Sequence, residues 1–291
     1  RFFSHTHLLL TIATEVQDAM PTLSMNELTT YRWTFDQDVL NYAQQGYDAI
    51  GVWRPKLADY GVERGLELLA ESGLSVSNLL WTGGFTGSEG YSFEESLADA
   101  ESAVGLAREL DAGCLVIHPG GRNNHTFRHA ERLFRAALEH LLQLAEAQQV
   151  TLALEPMHPA CASPCTFLVD VESALALIES SRSPYLKLVF DTYHFGKDEA
   201  VLANISELAP HLAVVHLGDL SAPHDIDESR CPLGTGSVAL PEIVRALLEA
   251  GYDGPFDVEL MGSDLGLADY EAILRGSREF FAQVSAPAFR R

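Results

Sequence analysis

The sequence predicts an α/β chain folded as a single (β/α)8 TIM barrel, and three observations carry that expectation. Short runs rich in Val, Ile and Leu alternate with longer segments of helical period, the pattern of a parallel sheet with crossover helices. About eight such units fit within 291 residues, close to the usual length of a barrel of this kind. No Gly-rich dinucleotide turn follows the first strand and no Walker sequence occurs, so nothing favours an open doubly wound sheet.

The first strand is expected near 23–28 (LSMNEL), with a helix near 35–45 after "YRWT". Strands follow near 48–54 (DAIGVWR), 75–82 (SVSNLLWT) and 114–119 (CLVIHP). Helices are expected near 62–72, 93–110 and 127–148, the last after the polar capping candidates "NNHT". Four more apolar stretches complete the set: "VTLALEPMHP" (150–159), "LKLVFDTYH" (186–194), "LAVVHLGD" (212–219) and "PFDVELMG" (255–262). Amphipathic helices near 170–180, 199–209, 240–250 and 268–284 separate or follow them. The periodic pattern starts only at Met20, so residues 1–19 are expected as an extension outside a barrel domain of residues 20–291, and no proline- or serine-rich linker divides the rest.

Composition narrows the function classes. Hydrophobic residues are 47% and charged residues 21%, which sets disorder and collagen-like classes aside. The formal charge of −22 opposes a phosphate backbone, so nucleic acid is not an expected partner, while a cation in a carboxylate-lined pocket would be at home in such a field. The apolar run in "RFFSHTHLLLTIA" is far below the roughly 20 residues a membrane span needs, and it is a poor secretory signal. Four cysteines, Cys114, Cys161, Cys165 and Cys231, are too sparse for a disulfide scaffold, so a cytoplasmic location is expected. "HPACASPC" brings His158, Cys161 and Cys165 together without a fourth ligand, and ordinary loop cysteines are the simpler reading.

The four later strands each end in a residue able to bind metal: Glu155, Asp191, His216 and Glu259. Their separations of 36, 25 and 43 residues are each near one βα repeat, and the C-terminal ends of barrel strands share one face. All four are therefore expected at the same mouth. Three carboxylates and an imidazole suit one divalent ion, manganese, magnesium or cobalt first and zinc as a further candidate. A lone Glu at a strand end is more often a solvated rim residue; three clustered carboxylates would repel one another unless a cation intervened.

Further residues are expected near that ion. His194 lies three positions after Asp191 and is placed to reach a substrate oxygen, or a loop carbonyl. Arg230, in "DESRCPLGTG", can orient hydroxyl or carboxylate groups, or else pair with Asp227 or Glu228 at the surface. His118 ends the fourth strand, and Trp53, Arg54 and Trp81 close the second and third; Asn26 at the end of the first is ambiguous. Aromatic walls such as Trp53 pack against the C–H face of a polyol, or simply against the rim.

With "LEP", "FDTYH", "VHLGD", "DESRCPLGTG" and "VEL" in view, residues 22–284 resemble the xylose isomerase-like TIM barrels, a family that includes ketose 3-epimerases and the sugar phosphate isomerase/epimerase group. The resemblance implies Glu155, Asp191, His216 and Glu259 as metal ligands, Glu155 and Glu259 as the acid/base pair, and His194 and Arg230 as substrate-binding residues. "DIDESRCPLGTG" followed by "GYDGPFDVEL" looks most like the inositol-catabolic isomerases, such as 2-keto-myo-inositol isomerase. Two departures stand out: Leu-Gly-Thr-Gly where those proteins carry Pro-Gly-x-Gly, and "HPACASPCTF" where ketose epimerases place another acidic group. The implied activity is a metal-dependent isomerisation or epimerisation of a sugar, inosose or related polyol ketone, by proton transfer next to a carbonyl through an enediolate. A homo-oligomer is in keeping with the resemblance.

Three alternatives remain at this stage. A dehydratase of the 3-dehydroshikimate type would use the same ion and a basic cradle for a carboxylate, for which Arg54, Arg122 and Arg230 are the candidates. A non-catalytic polyol-binding barrel would lack a ligand or an acid/base residue, and none is missing. The family's three-zinc endonucleases share several ligand types here, but Trp81 stands where a histidine is needed and Arg230 in the region of another, and the chain is strongly acidic.

Overall fold

The computed structural model describes residues 20–163, 165–224, 229–262, 265 and 268–286. In chain order the first half runs β1 (Leu23–Asn26), α1 (Phe35–Gln45), β2 (Ala49–Trp53), α2 (Arg54–Tyr60), α3 (Val62–Ser72), β3 (Ser75–Gly83), α4 (Phe93–Glu109), β4 (Leu115–His118) and α5 (Phe127–Gln148). The second half runs β5 (Leu152–Leu154), α6 (Val171–Ser181), β6 (Leu186–Asp191), α7 (Thr192–Phe195), α8 (Glu199–Ala203), α9 (Ile205–Leu208) and a 3-10 turn at Ala209–His211. It ends with β7 (Leu212–Leu217), β8 (Asp219–Leu220), β9 (Arg230–Cys231), α10 (Leu240–Glu249), β10 (Phe256–Val258) and α11 (Tyr270–Ser285).

Eight parallel strands close on themselves in the order β1-β10-β7-β6-β5-β4-β3-β2, and the helices lie outside them. This is the single (β/α)8 barrel expected. Residues 1–19, the expected extension, lie outside the described residues.

Helix starts follow from capping chemistry. Ser92 and Glu95 form a reciprocal capping box at α4, and the side chains of Thr126, Asp170 and Asp269 accept from the first turns of α5, α6 and α11.

The two-residue pleat sorts each strand into two faces. Met25, Ile50, Val52, Leu79, Leu115, Ile117, Leu152, Leu154, Phe190, Val215 and Val258 belong to the large core that the sheet shares with the helices. Val116, Ala153, Val189 and Val214 belong to a separate small cluster, which is the inward row filling the barrel. Two residues further along the same four strands stand His118, Glu155, Asp191 and His216. The pleat thus delivers all four to the interior at the C-terminal mouth, directly above an apolar floor.

Three differences from the sequence expectations have physical causes. "RPKLADY", expected as a strand end and loop, is the short helix α2, because Pro55 falls in the first turn, where its missing N–H costs nothing. The helix expected over 199–209 is broken at Asn204, whose φ of −113° and ψ of 21° leave the helical region, and again by Pro210. The loop after β7 contains an antiparallel ribbon, β8 with β9, and this ribbon carries Arg230. Among the described residues no helix is long and apolar enough to cross a membrane.

Candidate active site

Glu155, His216 and Glu259 come together at the mouth: one ligand atom from each lies within 4.8 Å of the others, the one such group of His, Cys, Asp or Glu among the described residues. His216 Nδ1 is 3.1 Å from Glu155 Oε1 and 2.9 Å from Glu259 Oε2. His118 Nε2 hydrogen-bonds the other Glu155 oxygen at 2.7 Å. Two carboxylates and an imidazole nitrogen converging in this way form a donor set that suits a divalent cation.

Asp191 is the register neighbour of His216, on the adjacent strand β6. Its carboxylate is engaged from two sides, by the Tyr193 N–H at 2.7 Å and by Arg230 Nη2 at 2.8 Å. The same guanidinium nitrogen lies 3.5 Å from Glu259 Oε1, so Asp191 stands one guanidinium away from the converging group. Arg230 also donates to the Glu259 carbonyl at 3.1 Å and lies 4.3 Å over the Tyr193 ring. His194 Nε2 is 3.8 Å from Asp191 Oδ2. None of His118, Glu155, Asp191, His194, His216, Arg230 and Glu259 is more than 5% exposed. Arg230 therefore lies in the site; Asp227 and Glu228, its expected surface partners, lie outside the described residues.

Burial raises the pKa of a carboxyl, but at Glu155 the His216 charge and the hydrogen bonds from His118 and His216 override it and hold the group well below its ordinary value. Burial acts on His216 in the opposite sense, lowering it, and the adjacent Glu259 and Glu155 carboxylates override that and raise it well above the ordinary imidazole range. The two carboxylates thus favour positive charge where their oxygens and His216 Nδ1 converge, and a divalent cation held by the same donors would supply it.

Trp53 is half-buried at the end of β2, where its backbone N–H donates to Glu27 Oε2 at 2.6 Å. With Arg54, Trp81 and Tyr91 it lines a cleft of about 710 Å³ beside the mouth. This cleft meets the site where the Trp81 ring packs 5.5 Å from His118. Arg54 is engaged by Asp99 at 2.7 Å, and Arg122 is exposed. His158 stacks on His224 at 3.8 Å, and Cys114 and Cys231 are buried thiols.

Sequence reasoning missed a polar layer just below the site. Asp257, fully buried on β10, accepts from Asn26 Nδ2 and Asn78 Nδ2, each at 2.8 Å, and Asn26 also donates to Glu259 Oε2 at 3.2 Å. Burial raises the Asp257 pKa against the opposing pull of His216 and of the Ser24, Asn78 and Asn26 donors. Asp219 was missed as well: it is fully buried and accepts from the N–H groups of Leu220, Gly234, Gly236 and Val238, which ties the loop after β9 to the ribbon bearing Arg230. The available signal was an acid inside an apolar run, in "FDVEL" and "HLGDL".

Comparison with known proteins agrees with the barrel fold. The family model described as xylose isomerase-like TIM barrel matches residues 39–284. The chain is 25% identical over 277 residues to an inosose isomerase of Bacillus velezensis, covering 88% of this chain and 94% of that protein. It is 34% identical over 110 residues to a ketose 3-epimerase of Arthrobacter globiformis and 30% identical over 173 residues to a fructoselysine 3-epimerase of Shigella flexneri. Those two matches cover 38% and 57% of this chain, and span only 35% and 59% of the epimerases' own lengths. Among solved structures, protein SMc04130 of Sinorhizobium meliloti superposes with a TM-score of 0.83 at 26% identity, covering 90% of this chain and 98% of that one. The IOLI protein with a bound zinc atom has a TM-score of 0.78 at 21% identity, covering 93% and 100%, a likeness of fold.

Proposed function

Because the chain belongs to the xylose isomerase-like TIM barrel family, we propose that it is a divalent-metal-dependent isomerase or epimerase that moves a proton next to the carbonyl of a sugar, inosose or related polyol ketone. One observation carries the reading. Glu155 and Glu259 rise from β5 and β10, strands separated around the barrel by β6 and β7, and still reach the same His216 nitrogen from different sides. A substrate carbon between them would have one carboxylate placed to take its proton and the other to return one. The family membership and the matches to inosose isomerase and two 3-epimerases support the same class.

Glu155, His216 and Glu259 would hold the cation, with Asp191 as the fourth ligand. Once bound there, the cation would supply positive charge to the substrate oxygens as negative charge develops on them. Arg230, with Asp191 and Glu259 in reach, orients a hydroxyl, and His194 stands beside it. His118 sets the direction of the Glu155 carboxylate, and Trp53 offers an apolar wall to the ring or chain of the polyol. A dehydratase would need a cationic cradle for a substrate carboxylate. Arg54 is already engaged by Asp99 and Arg122 is exposed, which leaves Arg230 without help.

The test is proton NMR in D₂O with Mg²⁺-loaded protein, a panel of ketoses, inososes and 3-dehydroshikimate, and Glu259→Gln as control. Deuterium entering a carbon next to the carbonyl, with a new epimer or ketone and no exchange in the control, is the expected result. New olefinic signals would replace the reading with dehydration. A filled metal site with every substrate unchanged would overturn it.

A further inference from the structure

Directly beneath the Glu155–His216–Glu259 group, β10 carries a carboxylate that the proposed chemistry does not use. Asp257 is the register partner of His216 on β7 and of Ser24 on β1, so it points into the barrel one layer below Glu259. The interior has been cleared for it. A Cβ on Gly51, in the neighbouring layer of β2, would lie 2.5 Å from Asp257 Oδ2, so any larger residue there would collide with the carboxylate.

The groups around Asp257 are donors. Asn26 Oδ1 accepts from the Leu28 N–H at 3.0 Å, which fixes the amide orientation and leaves its Nδ2 to donate to Asp257. Asn78 Nδ2 donates to the same oxygen. Both amides thus present N–H groups to Oδ2, an arrangement that suits a carboxylate oxygen rather than a second cation.

What faces this anion from above is His216 Nε2, at 3.9 Å. That nitrogen is buried and has no hydrogen-bond partner among the described residues, whereas Nδ1 points toward Glu155 and Glu259. A neutral imidazole carries its proton on one nitrogen only, and the other offers a lone pair. An Nε2 lone pair aimed at a buried carboxylate would be repelled; an Nε2–H is attracted.

We propose that Asp257 is a positioning residue that holds His216 in the Nε2–H tautomer, so that the Nδ1 lone pair is presented to the divalent cation. Asn26 donates both to Asp257 and to Glu259, and it links the depth of the carboxylate below to the aim of the ligand above. The inference rests on the reading of Glu155, His216 and Glu259 as metal ligands.

The test uses Zn²⁺, which is diamagnetic, with ¹⁵N-histidine-labelled full-length protein. In the Zn²⁺-loaded wild type, long-range ¹H–¹⁵N spectra are expected to show His216 bound through Nδ1 with a proton on Nε2. Calorimetry of Asp257→Asn is expected to show Zn²⁺ affinity lower by about 10–100-fold, with the unfolding midpoint of the metal-free protein at or above the wild-type value, since a buried charge has been removed. Zn²⁺ on Nε2 in the wild type would overturn the proposal whether or not the variant folds, and so would an Asp257→Asn affinity within threefold of wild type. If wild-type protein bound no Zn²⁺ at a site abolished by His216→Ala, the metal reading itself would fall and the positioning role with it.

Discussion

Replacing Lys56 by methionine is expected to destabilise the barrel by about 3–5 kcal/mol, because it strips the counter-charge from a buried acid. Lys56, on α2, donates to Asp38 Oδ2 at 2.5 Å, the Thr30 carbonyl at 2.9 Å and the Glu27 carbonyl at 3.1 Å, which accounts for all three of its hydrogens. Asp38 is fully buried on α1, and Glu27, equally buried, follows β1. Burial pushes both carboxyls upward. Glu27 is held well above its ordinary value, with the Asp38 charge adding to burial, while Lys56 pulls both back down. Of the two, Glu27 is raised further, and Asp38 is the carboxyl that Lys56 contacts directly. Methionine retains most of the lysine stem, so little of the loss comes from a cavity. At roughly 2–4 °C per kcal/mol for a chain of this size, the melting temperature should fall by about 10 °C. Burial already raises Asp38 in the wild type, and losing the Lys56 charge that pulls it down raises it further. The folded variant binds a proton that the unfolded chain has released, so its stability declines as pH rises above about 4, the unfolded carboxyl range. The gap between wild type and variant should therefore be small near about pH 4 and full near about pH 7. Asp38→Asn combined with Lys56→Met removes both charges and is expected to recover most of the loss. Urea unfolding of all three proteins across pH measures this. A Lys56→Met loss below about 1 kcal/mol that does not change with pH would refute the claim that Asp38 is left as a buried charge.

Asp219→Ala should cost about 2–4 kcal/mol, because four backbone N–H groups lose a charged acceptor; proteolysis should then cut between Arg230 and Val238, and an uncut loop would assign the loop's order to other contacts. Divalent binding should strengthen as pH rises, because the neighbouring carboxylates raise His216 well above its ordinary value and the cation must displace its proton. The Mn²⁺ association constant is expected to climb by up to about tenfold per pH unit until the His216 pKa is passed. Calorimetry in buffers of different ionisation enthalpy should count about one proton released, and a count of zero would mean that His216 is already neutral.

The fold was legible because a barrel strand repeats a simple rule. Every second residue faces inward, so an apolar inward residue followed two positions later by a polar one marks a strand end at the mouth. Val116 with His118, Ala153 with Glu155, Val189 with Asp191 and Val214 with His216 all obey it. Arg230 could be suspected from its loop, but its reach to Asp191 and Glu259 depends on the β8–β9 ribbon, whose two-residue strands have no period to read. Lys56 was invisible for a related reason: in "RPKLADY" the proline suppresses the helical pattern, and a lysine there reads as a solvated charge rather than the buried partner of Asp38.

Asp257 and Glu259 show where the rule stops. Both face inward on one strand, two residues apart, and "FDVEL" gives each the same kind of acid in the same kind of surroundings. What separates them is depth. Asp257 meets Asn26, Asn78 and the space left by Gly51, all contributed by strands more than 170 residues away in sequence. Glu259 has passed the last strand residue, Val258, and meets His216 and Arg230. Depth is a property of the closed barrel, set by how far β1 rises beside β10 and by how far β2 and β3 rise beyond it. The same alternation therefore puts one carboxylate where a proton or cation can be exchanged and buries the other among amides, where it meets the group above through the His216 imidazole and Asn26.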